Sequence, residues 1–271
     1  MTDLLTDSQF DLFRKLIYDS SGITFSETNR SILDSRLKER LRDKQMDNLD
    51  DYYKLIMSDQ GEFKTFLDSI TTNLTRFFRN QPHFDALVNY ILPHVIEYKK
   101  KTGNTTFRIW SAGCSTGEEP YTIAMILKDK LPPPYNFEIV ASDISLKSLM
   151  VGQTGFYPES RITGIPSNYL ATYFDQVDGG YQVKADLMKT IKFDYHNLRF
   201  DMGVNNFDII FCRNVLIYFD EAAQKATIDK FYNSLNKDGY LFIGHSESLF
   251  GMDTKFKFLK TEWACLYEKH E

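Results

Sequence analysis

The hydrophobic rhythm of the chain changes near residue 105, and no other feature constrains the fold as strongly. Before about residue 80, apolar residues recur at three- and four-residue steps: Phe10, Phe13, Leu16 and Ile17, then Leu33, Leu37 and Leu41. That spacing lines one face of an α-helix. Gly22 and Asn48 punctuate the run as breaks between short helices, and no alternating strand pattern occurs there. A further helix from Pro82 to about Lys101 leads onward. From residue 105 short apolar runs alternate with helical patterns. Strands are expected over 105–112, 137–143, 207–215 and 239–245. Helices are expected over 118–131, from Ser145, and over 221–239, the last stopped by Gly239. Such alternation specifies βαβ units and a mostly parallel sheet covered on both faces. Residues 256–269 read as a closing antiparallel pair. Residues 160–200 interrupt the alternation with a helix at PSNYLATYF and short strands at YQVK and MKTIKFDYHN, turned at Asp178-Gly179-Gly180. They read as a small embedded antiparallel β element over about 174–196. The expected division is therefore an all-α part at 1–80, a linker helix at 81–104 and an α/β sheet domain at 105–271.

Composition removes several classes of function. Lys and Arg number 32 against 37 Asp and Glu, so the net charge is −5. A protein that coats nucleic acid depends on neutralising phosphates, so no nucleic-acid partner is expected. No apolar run approaches the roughly 20 residues that span a bilayer, so no direct membrane insertion is expected. The first residues are acidic and do not read as a signal peptide. Three widely spaced cysteines suit a reducing cytoplasm and no disulfide framework. The histidines and cysteines form no metal-spaced cluster, so no metal is expected.

Four segments of the chain carry the chemistry. SAGCSTGEEP (111–120) lies between an expected strand and an expected helix. Its small residues, Gly113 among them, let a ligand approach the backbone, and free amides at the helix start face that ligand. Glu118 and Glu119 would repel a pyrophosphate and favour a cationic, hydroxyl-bearing ligand such as S-adenosylmethionine. A capped helix start with acids in its first turn explains the same residues. Asp143 closes the second strand, where an acid accepts both hydroxyls of a ribose; it is equally placed to cap the next helix. TTNLTRFFRN (71–80) supplies Arg79, a fork suited to a carboxylate, while Phe77 and Phe78 read as core; taken alone, the segment reads as a plain helix junction. CRNVLIYF (212–219) puts Arg213 and Asn214 at the carboxyl end of a buried strand, where ligands of open α/β sheets sit, and Tyr218 follows in the next turn. Either a ligand or a neighbouring acid would satisfy Arg213. Beside these, RSILDSRLKERLRDK (30–44) carries six basic residues against three acidic ones. Arg36, Lys38, Arg40 and Arg42 on this helix are either a solvated face or a dock for an acidic partner. Pro133-Pro134-Tyr135 lies before a strand, the wrong place for the proline-proline-aromatic motif of DNA methyltransferases. His245 reads as a sheet-end residue.

Taken in order, TTNLTRFFRN, WSAGCSTGEEPYTIA, ASDIS, FDIIFCRNVLIYF and GYLFIGHSES resemble the signature segments of the chemotaxis receptor glutamate O-methyltransferases, the CheR family. The resemblance covers nearly the whole chain. It implies a class I, Rossmann-like S-adenosylmethionine-dependent methyltransferase domain preceded by a small all-α domain. It implies S-adenosyl-L-methionine as cofactor, and as acceptors glutamate carboxylates on the cytoplasmic helical domain of methyl-accepting chemotaxis receptors. The implied cofactor contacts are Asn73, Thr75, Arg79, Glu118, Asp143, Asn197 with Leu198, and Arg213 with Asn214. Tyr218 matches a tyrosine near the transferring methyl, and the basic helix matches the receptor-docking helix. Some members grip a receptor-tail pentapeptide with a glycine-rich loop. The corresponding segment, FDQVDGGYQV (174–183), is shorter, which implies an enzyme working without that tether. A methyltransferase for another acceptor and a non-catalytic S-adenosylmethionine-binding scaffold are the competing readings.

Overall fold

The computed structural model describes residues 5–270. Helix α1 (Asp7–Ser21) starts in a capping box between Thr6 and Gln9, and ends where Gly22 turns left-handed at φ 77°. Helices α2 (Arg30–Lys44), α3 (Leu49–Ser58) and α4 (Gln60–Ile70) follow. The side chains of Asn48 and Asp59 cap the last two. Phe10, Phe13, Ile17, Leu33, Leu37, Tyr52 and Phe66 bury one face of each helix in a shared core. Helix α5 (Gln81–Ala86) runs through a π turn into α6 (Leu92–Thr102); Pro93 cannot donate the usual helical hydrogen bond just after that turn.

The rest is a seven-stranded sheet with a three-stranded sheet beside it. Strands β1 (Thr106–Ala112) and β2 (Asn136–Asp143) are separated by α7 (Glu118–Lys130), and α8 (Leu146–Thr154) follows β2. The smaller sheet consists of β3 (Phe156–Pro158), β4 (Phe174–Val177) and β5 (Gly180–Val183), with α9 (Ser167–Tyr173) leading into β4. A short α10 (Ala185–Met188) then gives way to β6 (Ile191–Tyr195), β7 (Phe207–Cys212), α11 (Glu221–Ser234), β8 (Leu235–Ile243), β9 (Lys257–Lys260) and β10 (Cys265–Glu268). The large sheet runs β6-β2-β1-β7-β8-β10-β9. Its first five strands are parallel and β10 and β9 antiparallel. Strand β7 is buried along its whole length, as a central strand covered on both faces must be.

Three expectations are corrected. The embedded sheet is β3-β5-β4, so its strands fall within 156–183 and not 174–196. Residues 191–195 pair with β2 in the large sheet, with Lys192 opposite Val140. Period-two alternation marks a strand but does not name its partner. The helix expected to reach Gly239 ends at Ser234. Strand β8 starts at Leu235, and its register jumps from Leu235 opposite Phe207 to Tyr240 opposite Ile209. Gly239 serves that irregularity, since a Cβ there would lie 2.9 Å from the Asn236 carbonyl oxygen. Finally, β7 stops at Cys212, so Arg213 and Asn214 leave the strand.

Of the four basic residues expected to face a partner, Arg40 is withdrawn. It donates to Glu62 of α4 at 2.6 and 3.0 Å and to Asp43 at 3.0 Å. Lys44 and the Tyr52 hydroxyl reach the same Glu62 carboxylate at 2.7 and 2.8 Å. The Glu62 side chain is 1% exposed, so the cluster is a buried bolt between α2 and α4. Its place one turn from Leu37 made Arg40 look like part of the surface stripe. Lys38 pairs with Asp34 at 2.5 Å and Arg36 with Glu39 at 3.6 Å, both half-exposed, and Arg42 is exposed. Glu62→Ala should cost about 1–3 kcal/mol, since Arg40 keeps Asp43 and Lys44 can turn to water while the buried Tyr52 hydroxyl loses its acceptor. Arg42→Ala should stay within about 0.5 kcal/mol. Urea denaturation at pH 7 measures both.

Candidate cofactor and active site

The carboxyl ends of β1, β2 and β7 open into a cavity of about 280 Å³. The turn after β1 forms its floor. Gly113, at φ 78°, and Cys114 both donate backbone N–H groups to the Ser142 carbonyl, at 2.8 and 2.9 Å. A Cβ on Gly113 would lie 2.4 Å from the Val215 side chain, so only glycine fits. The Ser115 N–H donates to one Asp143 carboxylate oxygen at 2.8 Å, and the Ser145 N–H to the other at 2.9 Å. Asp143 thus steadies Ser145, whose side chain caps α8 by accepting from the Ser148 N–H, and it also lines the cavity. Burial raises its pKa above the usual carboxylate value. A carboxylate has about four acceptor sites, so these amides leave room for a further donor. The Ser115 hydroxyl, also in the lining, is buried without a protein partner. Orphaned polar atoms beside an acid and a close-approach glycine suit the hydroxyl-rich nucleoside of S-adenosylmethionine.

Arg213 lines the cavity as well, and protein groups hold its Nε and Nη1. Its Nε donates to Glu119 at 2.7 Å, and its Nη1 to the Arg79 carbonyl at 2.7 Å and to His83 Nδ1 at 3.2 Å. The guanidinium also lies 5.1 Å over the Phe84 ring. Ser111 of β1 donates to the other Glu119 oxygen at 2.7 Å. Glu119 lines the cavity, whereas Glu118 is not in the lining. Glu118 is fully buried and accepts from Thr116 at 2.6 Å and from Arg161. Adjacent helical residues point about 100° apart, so only one acid of the pair can face the ligand.

The strap between α4 and α5 brings Asn73, Thr75 and Arg79 into the lining. The Arg79 guanidinium donates to the Leu74 carbonyl at 2.8 Å. Asn197, Leu198, Asn214 and Tyr218 line the cavity as well. Asn197 spends its side-chain amide on the Ser20 carbonyl at 2.7 Å, and the Thr24 N–H donates to the Tyr218 carbonyl at 2.8 Å. Ser21, Ile23 and Ile70 of the helical domain complete the wall, together with His196 beside Asn197. Sequence reasoning missed these because nothing local marks a helix surface that closes a distant cavity. Arg36, Lys38 and Arg42 do not line it.

A parallel sheet with a close-approach glycine turn after its first strand and an acid ending its second is the frame of α/β proteins that bind an adenosine-bearing ligand, and the family match over residues 73–265 places this one among the S-adenosylmethionine-dependent methyltransferases. Residues 8–71 match the model of the CheR methyltransferase all-alpha domain, and residues 73–265 that of the CheR methyltransferase SAM binding domain. A chemotaxis protein methyltransferase of Borreliella burgdorferi is 40% identical over 256 residues, covering 91% of this chain and 90% of that one. One from Escherichia coli is 35% identical over 261 residues, covering 93% and 88%. The chain belongs to the CheR methyltransferase family, and its cofactor is S-adenosylmethionine. Among the described residues no helix is long and apolar enough to cross a membrane.

His83 gives the site a stability signature. Burial, with the charges of Arg213 and His245, lowers its pKa from 6.5 to about 4. The unfolded chain therefore binds this proton more readily, and stability falls as pH drops through the window from about 6.5 to about 4. Between pH 7 and pH 5 the loss from this residue should be about 2 kcal/mol. Urea denaturation at the two pH values should show His83→Gln losing less stability than the wild type by that amount.

Proposed function

We propose that the chain transfers the methyl group of S-adenosylmethionine to glutamate side-chain carboxylates of chemotaxis receptors in the cytoplasm, forming glutamyl γ-methyl esters. The acceptor is the helical signalling part of the receptor, and Arg36, Lys38 and Arg42 on the exposed side of α2 face its acidic surface. One observation carries this reading: Arg79 and Tyr218 line the same cavity as Gly113 and Asp143, so acceptor-side and cofactor-side groups share one chamber.

When bound, S-adenosylmethionine supplies an electrophilic methyl on a sulfonium. Asp143 accepts from the ribose hydroxyls, Gly113 gives the backbone close approach, and Asn73, Thr75, Asn197, Leu198 and Asn214 complete the walls around the ligand. Arg213 holds Glu119 and the Arg79 carbonyl in place, and as a lining residue it also borders the ligand. A glutamate carboxylate is ionised near neutral pH, so its attack requires no general base. What remains for the protein is alignment and exclusion of water. Arg79 orients a carboxylate and Tyr218 borders the transferring methyl. The Asp178-Gly179 turn joining β4 to β5 is short, which supports a receptor encounter without the pentapeptide tether.

With labelled cofactor and receptor, base-released methanol should fall at least tenfold for both Arg79→Ala and Tyr218→Phe. Wild-type rates in both would refute the assigned roles. Asp143→Asn should weaken S-adenosylhomocysteine binding by about tenfold or more in calorimetry, the loss expected for a charge-assisted hydrogen bond. A receptor-tail pentapeptide titrated into the protein should give no micromolar binding heat.

A further inference from the structure

We infer that Glu247 is a positioning residue of the methyltransferase site, its carboxylate pinning the loop that carries Asn214 and Tyr218 to the cavity. The inference rests on the proposed role of Tyr218 only where it concerns turnover. Glu247 lies beyond the end of β8 and is not among the cavity-lining residues. One carboxylate oxygen accepts from the backbone N–H groups of Asn214, at 2.9 Å, and Gly244, at 2.5 Å. The other accepts from the Ile217 N–H at 3.2 Å.

The Asn214 and Gly244 amides lie just past the end of the parallel pairing of β7 with β8, and the Ile217 amide in the first turn of the short helix Leu216–Tyr218, so none has a strand or helix partner. A single carboxylate collects all three as charge-assisted hydrogen bonds. The approach is tight. A Cβ on Gly244 would lie 2.6 Å from the Glu247 carboxylate and 2.8 Å from the Asn214 nitrogens. Asn214 itself is left-handed, at φ 60°, a conformation that an L-residue keeps only when its surroundings hold it. The far end of the loop has other anchors. Gln224 donates to the Leu216 and Phe219 carbonyls at 3.0 Å, and the Thr24 N–H to that of Tyr218. At the near end, between Asn214 and Ile217, the Glu247 carboxylate is the clamp.

The test compares the intact wild-type chain with Glu247→Ala, Glu247→Gln and Gly244→Ala. It measures S-adenosylhomocysteine affinity by calorimetry, kcat and KM for receptor methylation, and the thermal midpoint without ligand. For Glu247→Ala, affinity should fall at least fivefold and kcat at least tenfold, with acceptor KM changed less than threefold. Glu247→Gln keeps the length and one acceptor oxygen, so both quantities should recover part of the way. Gly244→Ala displaces the carboxylate and should resemble Glu247→Ala. A lowered midpoint with wild-type affinity and kcat at temperatures where the variant is folded would make Glu247 a stability residue and overturn the inference. Should Glu247→Ala not fold, wild-type affinity in Gly244→Ala overturns it equally. A wild-type chain that binds S-adenosylhomocysteine but methylates no receptor would defeat the proposed acceptor and leave the affinity comparison standing.

Discussion

The buried pair between Arg213 and Glu119 is the contact on which the site's construction depends. A guanidinium taken out of water is tolerated only when it is paired and its donors are used. Arg213 meets that demand by drawing in Glu119 from α7, the Arg79 carbonyl from the strap and His83 from α5. Ser111 of β1 fixes the second Glu119 oxygen. Strand ends, strap and helix are thereby locked at one point. Burial first, and then the positive charge of Arg213, keep His83 neutral.

The helical domain is a structural part of the cavity. Asn197 and Arg199, just after β6, hold the end of α1 through the carbonyls of Ser20 and Tyr18, at 2.7 and 3.1 Å. Ile23 forms an antiparallel bridge with Phe219, and Ser21, Ile23 and Ile70 face the space enclosed. A ligand filling that space touches both domains, so its binding free energy favours their docked arrangement.

Much of this was legible in the sequence because it is local. Helical spacing of Phe10, Phe13 and Ile17, the cap at Asn48, the left-handed stop at Gly22 and the run of β7 all follow from interactions within a few residues. The glycine turn and Asp143 were legible for the same reason, since strand-turn-helix grammar fixes where their backbones point. What stayed hidden depends on partners distant along the chain. Residues 191–195 announce a strand but not the sheet it joins. Arg40 looks like surface until Glu62, in another helix, is brought against it. Glu118 and Glu119 read as equivalent until the packing of Arg161 and Arg213 sends them to different places. Glu247 sits in the GYLFIGHSES segment, but nothing local shows its role, because the donors it collects include amides in the turn after another strand.

The proton inventory of the cavity fits a reaction whose nucleophile arrives already charged. Both Asp143 oxygens accept backbone amides, Glu119 is paired, burial lowers the pKa of His196 in the lining, and behind the wall His83 accepts from Arg213. These groups shape and neutralise the chamber, and the chemistry does not ask them to remove a proton. Cys114 makes the converse point. It lines the same cavity, and a thiolate beside a sulfonium methyl donor would compete with any carboxylate for that methyl. Burial first, and then the negative charges of Asp143 and Glu119, push its thiol well above the ordinary value. Since the thiolate is the nucleophile and the thiol is not, burial, helped by the acids that build the ligand pocket, keeps this lining sulfur protonated and unreactive.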